Sequence, residues 1–149
     1  MPSTPPFVAQ ERPDSCAIAC LRMLLAQKAV DKSEEELVRQ TRLDAGGLNP
    51  EEIAALARAN GLPARERMVD DAELAQLVQH GSYPIVLLYR KFLDGEDNVH
   101  AVIPIGFSKQ YVTLLDPLRG KRRISIRKFA KARQWVQRWA VVEEPSDLG

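Results

Sequence analysis

The chain has 149 residues, 45% of them hydrophobic, and sets 21 lysines and arginines against 20 acidic side chains for a net charge of +1. That length supports one domain around one core, and the near balance of charge gives no global reason to bind nucleic acid. No stretch is long and apolar enough for a signal peptide or a bilayer span, so a cytoplasmic location is the default expectation, with secretion that needs no cleavable signal left open.

Residues 1–9 are Pro-rich and read as a flexible arm ahead of a single domain over 10–142, with a tail at 143–149. Ile18, Leu21, Met23, Leu24, Leu25 and Val30 occur in a run free of Gly and Pro, which predicts a mostly buried helix over 16–30. Asp14 or Ser15 is placed to cap it. Ser33-Glu-Glu-Glu36 is a capping-box pattern opening a short helix to about Thr41, and Gly46-Gly47 then breaks the chain. Asn49-Pro50 starts another helix, which runs to Asn60 and stops at Gly61. A further short helix follows Asp70 or Asp71 and ends at His80-Gly81.

Beyond that point the texture changes to strands. Tyr83–Tyr89 is a continuous apolar run. Ala101–Phe107 and Tyr111–Leu115 are joined by the turn Ser108-Lys-Gln110, and Arg123–Ile126 alternates weakly. A helix over about 127–134 precedes an edge strand at Trp139–Val142. Helices first and an antiparallel sheet afterwards make an α+β layout, with the sheet packed on the first helix.

The chemistry lies in three separated residues. Cys16, in Gln10-Glu-Arg-Pro-Asp-Ser-Cys16, sits where a loop turns into the first helix, and the aligned peptide dipoles there favour a thiolate. His100 opens one apolar strand and Asp116 closes the next. A hairpin turning near 109 places His100 opposite roughly Asp116 to Leu118, with cross-strand neighbours about 5 Å apart. The imidazole would take the thiol proton and return one to the leaving amine, while the carboxylate orients it. The Cys16 N–H and the Gln10 amide are the candidate oxyanion donors. Cys20, one turn deeper, reads as structural. With two cysteines and two histidines widely spaced, no zinc-finger pattern occurs. A metal held by Cys16, Cys20, His100 and Asp116 is a compositional alternative, and no cofactor is expected.

Charge is uneven. Residues 119–138 hold nine lysines and arginines and no acid, which leaves twelve basic and twenty acidic side chains elsewhere, a balance of −8. A solvated basic face is the default reading. An acidic partner is the alternative, and nucleic acid is disfavoured.

These residues resemble the peptidase C39 family, the papain-like domains known from bacteriocin-processing exporters. In that family a Gln stands six positions before the nucleophilic Cys, as Gln10 does before Cys16. A helix with a second Cys and a Met follows, here Cys20 and Met23. The histidine opens an apolar strand, matching His100-Ala-Val-Ile, and the aspartate precedes Pro, matching Asp116-Pro117. Ala59-Asn60-Gly61-Leu62 matches a family helix ending in Gly-Leu. The chain departs from the pattern at Ala17, where the family has Gly, and at Asp14, where the acidic residue is displaced by one. The resemblance implies a papain-like fold and a cysteine endopeptidase acting on a peptide or protein, with cleavage after a Gly-Gly leader motif as the family's known specificity. With no transporter in the sequence, a stand-alone leader peptidase, a regulatory protease or a toxin-like effector are the expected roles. A catalytically silent peptide-binding module and an acyl- or amide-transfer enzyme using the same thiol are the alternatives.

Overall fold

The apolar run after Ser15 folds as α1 (Cys16–Gln27) in a computed structural model that describes residues 3–43 and 47–144. Eight of its twelve residues are buried, so tertiary packing rather than an amphipathic stripe holds it. It ends three residues earlier than the apolar pattern suggests. Ala29 adopts a left-handed φ of 61°, and the Val30 N–H returns to the Leu25 carbonyl at 2.9 Å. Glycine usually fills that position, so alanine left no stop signal in the sequence.

The next two helices start where the sequence places them. In α2 (Glu34–Val38) and α3 (Pro50–Ala59), Ser33 with Glu36 and Asn49 with Glu52 each close a reciprocal capping box. β1 (Ala64–Met68), α4 (Asp71–Gln79) and β2 (Ile85–Tyr89) follow, then α5 (Lys91–Asp94) and β3 (Val99–Phe107). The chain finishes with β4 (Tyr111–Asp116), β5 (Gly120–Ser125), α6 (Ile126–Trp135) and β6 (Trp139–Glu143). The Gly46-Gly47 break lies partly, and the 143–149 tail mostly, outside the described residues. Of the residues read as an arm, Pro5 is buried, Val8 packs on the core and the Ser3 carbonyl accepts from Gln27 at 2.7 Å.

Six strands pair antiparallel in the order β1-β6-β2-β3-β4-β5. This is an α+β fold. The sequence places Trp139–Val142 at an edge, but β6 lies inside the sheet, between β1 and β2. The edge on that side is β1, whose Arg65-Glu66-Arg67 interior gives no apolar alternation. Charge on an edge strand opposes pairing with another chain. Side chains alternate across the sheet. Ile85, Leu87, Ala101 and Ile103 face the core made with α1 and α3. Val86, Leu88, Val102 and Leu114 face a second core containing Phe129 and Ala132 of α6.

Arg133 of α6 is fully buried in that second layer. It donates to Asp71 at 2.6 Å and to the Val69 carbonyl at 2.5 Å, tying α6 to the start of α4. Arg133→Ala is expected to lower the unfolding free energy by about 2–4 kcal/mol in urea titrations, through the cavity and the orphaned carbonyl. A loss under about 1 kcal/mol would show that Arg133 is not a core strut. Arg119 and Arg122 reach Asp94, Arg123 lies over the Tyr111 ring and Lys131 over the Phe92 ring. With Arg133, over half of the basic stretch therefore serves the chain's own packing.

Candidate active site

The N-terminus of α1 carries no side-chain cap. Ser15 stands at the cap position but makes no cap bond. Its hydroxyl instead accepts from the Arg12 N–H and donates to the Arg12 carbonyl, each at 3.0 Å. The first turn holds no acidic residue, and Asp14 pairs with Arg12 at 3.2 Å. The Cys16 sulfur therefore meets the positive end of the helix without a competing carboxylate.

The loop before α1 is held at its start. The Gln10 N–H donates to the Pro117 carbonyl at 3.1 Å, and the Glu11 N–H donates to the buried Glu34 at 3.1 Å. Arg22 fixes Glu11 from the side of α1 at 2.9 Å. The Gln10 contact docks the loop against the end of β4, next to Asp116, and the two Glu11 contacts tie it to α2 and α1.

β3 and β4 pair from Phe107↔Val112 to Ile103↔Leu115, with a register shift between Pro104 and Gly106. Continued one pair further, that register sets Asp116 opposite Val102, a diagonal neighbour of His100 on the same face. His100 Nε2 and Asp116 Oδ1 are 2.7 Å apart, and both side chains are buried. The next residue along β3, Ala101, donates its N–H to Cys16 Sγ at 3.4 Å. With Nε2 on the carboxylate, Nδ1 is the ring nitrogen left for the sulfur. The structure thus brings Cys16, His100 and Asp116 into one array.

Electrostatics follow from that array. Burial opposes ionisation of Cys16. The hydrogen bond and charge of His100 outweigh it, with help from the Ala101 and Ala17 N–H groups, and hold the thiol below its ordinary value. Burial likewise opposes a charged His100, but Asp116 and Cys16 push it up to about 9. Asp116 resists its own burial through His100, the Leu118 N–H and Arg122, and stays below the usual carboxylate range. Both shifts run toward a thiolate–imidazolium pair. Cys20 behaves differently: complete burial and the charges of Cys16 and Asp116 push its thiol well up, so it stays neutral. Among the described residues no group of three His, Cys, Asp or Glu side chains is arranged to hold a metal ion.

The Gln10 side chain is engaged within its own loop. Its Nε2 donates to the Arg12 carbonyl at 2.8 Å and the Pro13 carbonyl at 3.3 Å, while Oε1 is buried without a partner. A cleft of about 350 Å³ opens against Cys16, walled mostly by apolar groups including Ala17, Leu48, Leu87, Val99 and Trp139. Sequence reasoning did not find Arg122, which reaches Asp116 Oδ2 at 3.3 Å, or Asp94 behind it. Nothing in a charged strand or a short connecting turn marks either residue.

The fold is shared with solved peptidase domains. A C39-like peptidase from Bacillus anthracis aligns with a TM-score of 0.76 at 18% identity, covering 95% of this chain and 94% of that one. A double-glycine motif protease from the AMS/PCAT transporter, solved in complex with the leader peptide, gives 0.75 at 22%, covering 96% and 93%. The peptidase domain of Streptococcus ComA, a bifunctional ABC transporter, gives 0.73 at 16%, covering 93% and 98%. No curated protein matches the sequence. Residues 4–146 match the peptidase C39 family, and with nearly the whole length and a papain-like α+β fold in agreement, the chain belongs to that family.

Proposed function

We propose that the protein is a cysteine endopeptidase in which Cys16 attacks the scissile carbonyl and His100, braced by Asp116, serves as base and then acid. The observation that carries this reading is the 2.7 Å His100–Asp116 bond standing beside a helix-borne sulfur at the foot of an open apolar cleft. Proton transfer from Cys16 to His100 gives the nucleophile, attack gives a tetrahedral oxyanion, and collapse expels the amine with the imidazolium proton. Water, deprotonated by His100, then releases the acyl group from sulfur. The Cys16 N–H at the helix start is the first oxyanion donor. Gln10 is the second, and it reaches the oxyanion by giving up the longer of its two contacts, the one to Pro13. The substrate is a peptide with small residues beside the scissile bond, and a leader ending in Gly-Gly fits the family and the double-glycine protease among its structural neighbours. Incubation with Gly-Gly leader peptides and mass analysis is expected to show cleavage after the second Gly. Intact peptides across a range of sequences would defeat the peptidase reading.

Acidity separates this reading from an inert buried thiol. Ionisation of Cys16 is favoured in the fold, so iodoacetamide labelling is expected to rise through a midpoint below the ordinary thiol value of 9.0. Hydrolysis also needs the imidazolium proton, so it is expected to fall as pH passes about 9, where His100 deprotonates. Labelling has no such requirement and persists above that limb. A labelling midpoint at or above 9.0, unmoved by His100→Ala, would mean that no ion pair forms.

A further inference from the structure

Behind Asp116 stands a second layer of charge that the reaction above does not use. Arg122 of β5 sends Nη1 to Asp116 Oδ2 at 3.3 Å. The same guanidinium grips Asp94, with Nη1 and Nη2 each 3.2 Å from Oδ1. Asp94 closes α5 with a side chain only 7% exposed, and it also holds Arg90 at 3.3 Å and Arg119 at 3.5 Å. Arg90 is anchored in turn, its N–H bonded to the Asn98 carbonyl at 2.9 Å. A chain of contacts therefore runs from the α5 turn through Asp94 and Arg122 to Asp116 and His100.

We propose that Arg122, clamped by Asp94, is a positioning residue that fixes the rotation of the Asp116 carboxylate and so aims Oδ1 at His100. This rests on the peptidase reading for its functional consequence. Oδ1 accepts from both His100 and the Leu118 N–H, and Oδ2 accepts from Arg122. The final torsion of an aspartate is broad, so a carboxylate held through one oxygen can swing. Holding the second oxygen selects one orientation. A planar guanidinium can span two carboxylates, whereas an ammonium is a point charge without that fork. The groups facing Asp116 are His100 from β3, Arg122 from β5 and the neutral Cys20 thiol from α1, with Asp94 from α5 across the guanidinium.

The variant Arg122→Met keeps side-chain length and leaves neither acid bare. Asp94 retains Arg90 and Arg119, and Asp116 retains His100 and Leu118. The first readout is the titration of the His100 ring by NMR. If Asp116 swings away, the pKa of about 9 in the parent protein is expected to fall by about one unit, because the lost hydrogen bond is the largest of the interactions that raise it. If Arg122 served only as a counter-charge, its removal would leave Asp116 in place and raise that value. The second readout is kinetic: kcat is expected to drop about tenfold with KM within about twofold, since misorientation affects the reacting geometry and not peptide binding. Arg122→Lys is expected to restore only part of kcat, and Asp94→Asn to reproduce part of the loss with Arg122 present. An unchanged or raised His100 pKa in Arg122→Met overturns the proposal, as does full activity in that variant. Should the parent protein cleave nothing and label only above pH 9, the peptidase reading falls, while the imidazole titration still decides the clamp.

Discussion

Cys16→Ala is expected to remove peptide hydrolysis, with a loss of about 10³-fold or more in kcat, while leaving the fold nearly unchanged. The magnitude follows from the chemistry. No other nucleophile stands on the array, and oxyanion donors alone leave only residual catalysis over water. Cys20 cannot substitute, because it lies one turn deeper, fully buried and held neutral. The loss of one small side chain at the edge of the cleft removes little packing, so thermal midpoints of the two proteins should lie within a few degrees. A second consequence separates loss of the nucleophile from general damage. The thiolate is one of the groups that raise His100, so the imidazole of Cys16→Ala is expected to titrate below the parent value of about 9. Hydrolysis in Cys16→Ala at the parent rate would remove the thiol from the mechanism.

The second large effect belongs to Asp116, and it depends on what replaces the carboxylate. Asp116→Ala takes the hydrogen bond from His100 and the partner from Arg122 together. A loss of about 10²–10⁴-fold in kcat is expected, because the imidazole loses both its tautomer and its orientation. Asp116→Asn is a milder change with a specific flaw. Its carbonyl oxygen can keep the bonds from His100 and the Leu118 N–H, but its NH₂ group then faces the Arg122 guanidinium, donor against donor. In the Arg122→Met background that clash is gone, so Asn at 116 is expected to cost less there than in the parent. Steady-state rates for the four proteins of this cycle measure the coupling directly. Strict additivity would mean that Asp116 and Arg122 do not act on one another.

Much of the local structure was legible because it has local causes. The capping box at Ser33-Glu36 was readable, and so was the helix start at Asn49-Pro50, since each needs only residues a few positions apart. The β3–β4 hairpin was readable from a short turn between apolar runs, and with it the proximity of His100 and Asp116. The family resemblance rested on Gln10, Cys16, His100 and Asp116 together, and residues 4–146 match that family. Local signals failed where long-range contacts set the outcome. β1 has a charged interior and exists only because β6 pairs with it. The four-residue α5 carries no periodicity, yet it delivers Asp94 to the back of the site. Ser15 is a separate case, in which one local signal beat another: it has the right residue type for a cap, but its hydroxyl is taken by Arg12, three residues before it.

Residue order was enough to specify a helix-borne thiol, a strand-borne imidazole and a strand-ending carboxylate, because hydrophobic period and turn chemistry act within a few positions along the chain. It was not enough to show that Ala101 would turn its N–H onto the sulfur, that β6 would insert between β1 and β2, or that Arg122 would bridge two acids. Those contacts join residues far apart in sequence or on separate elements. They form only when the packed layers have already brought the partners within hydrogen-bond range and excluded the water that would otherwise satisfy them.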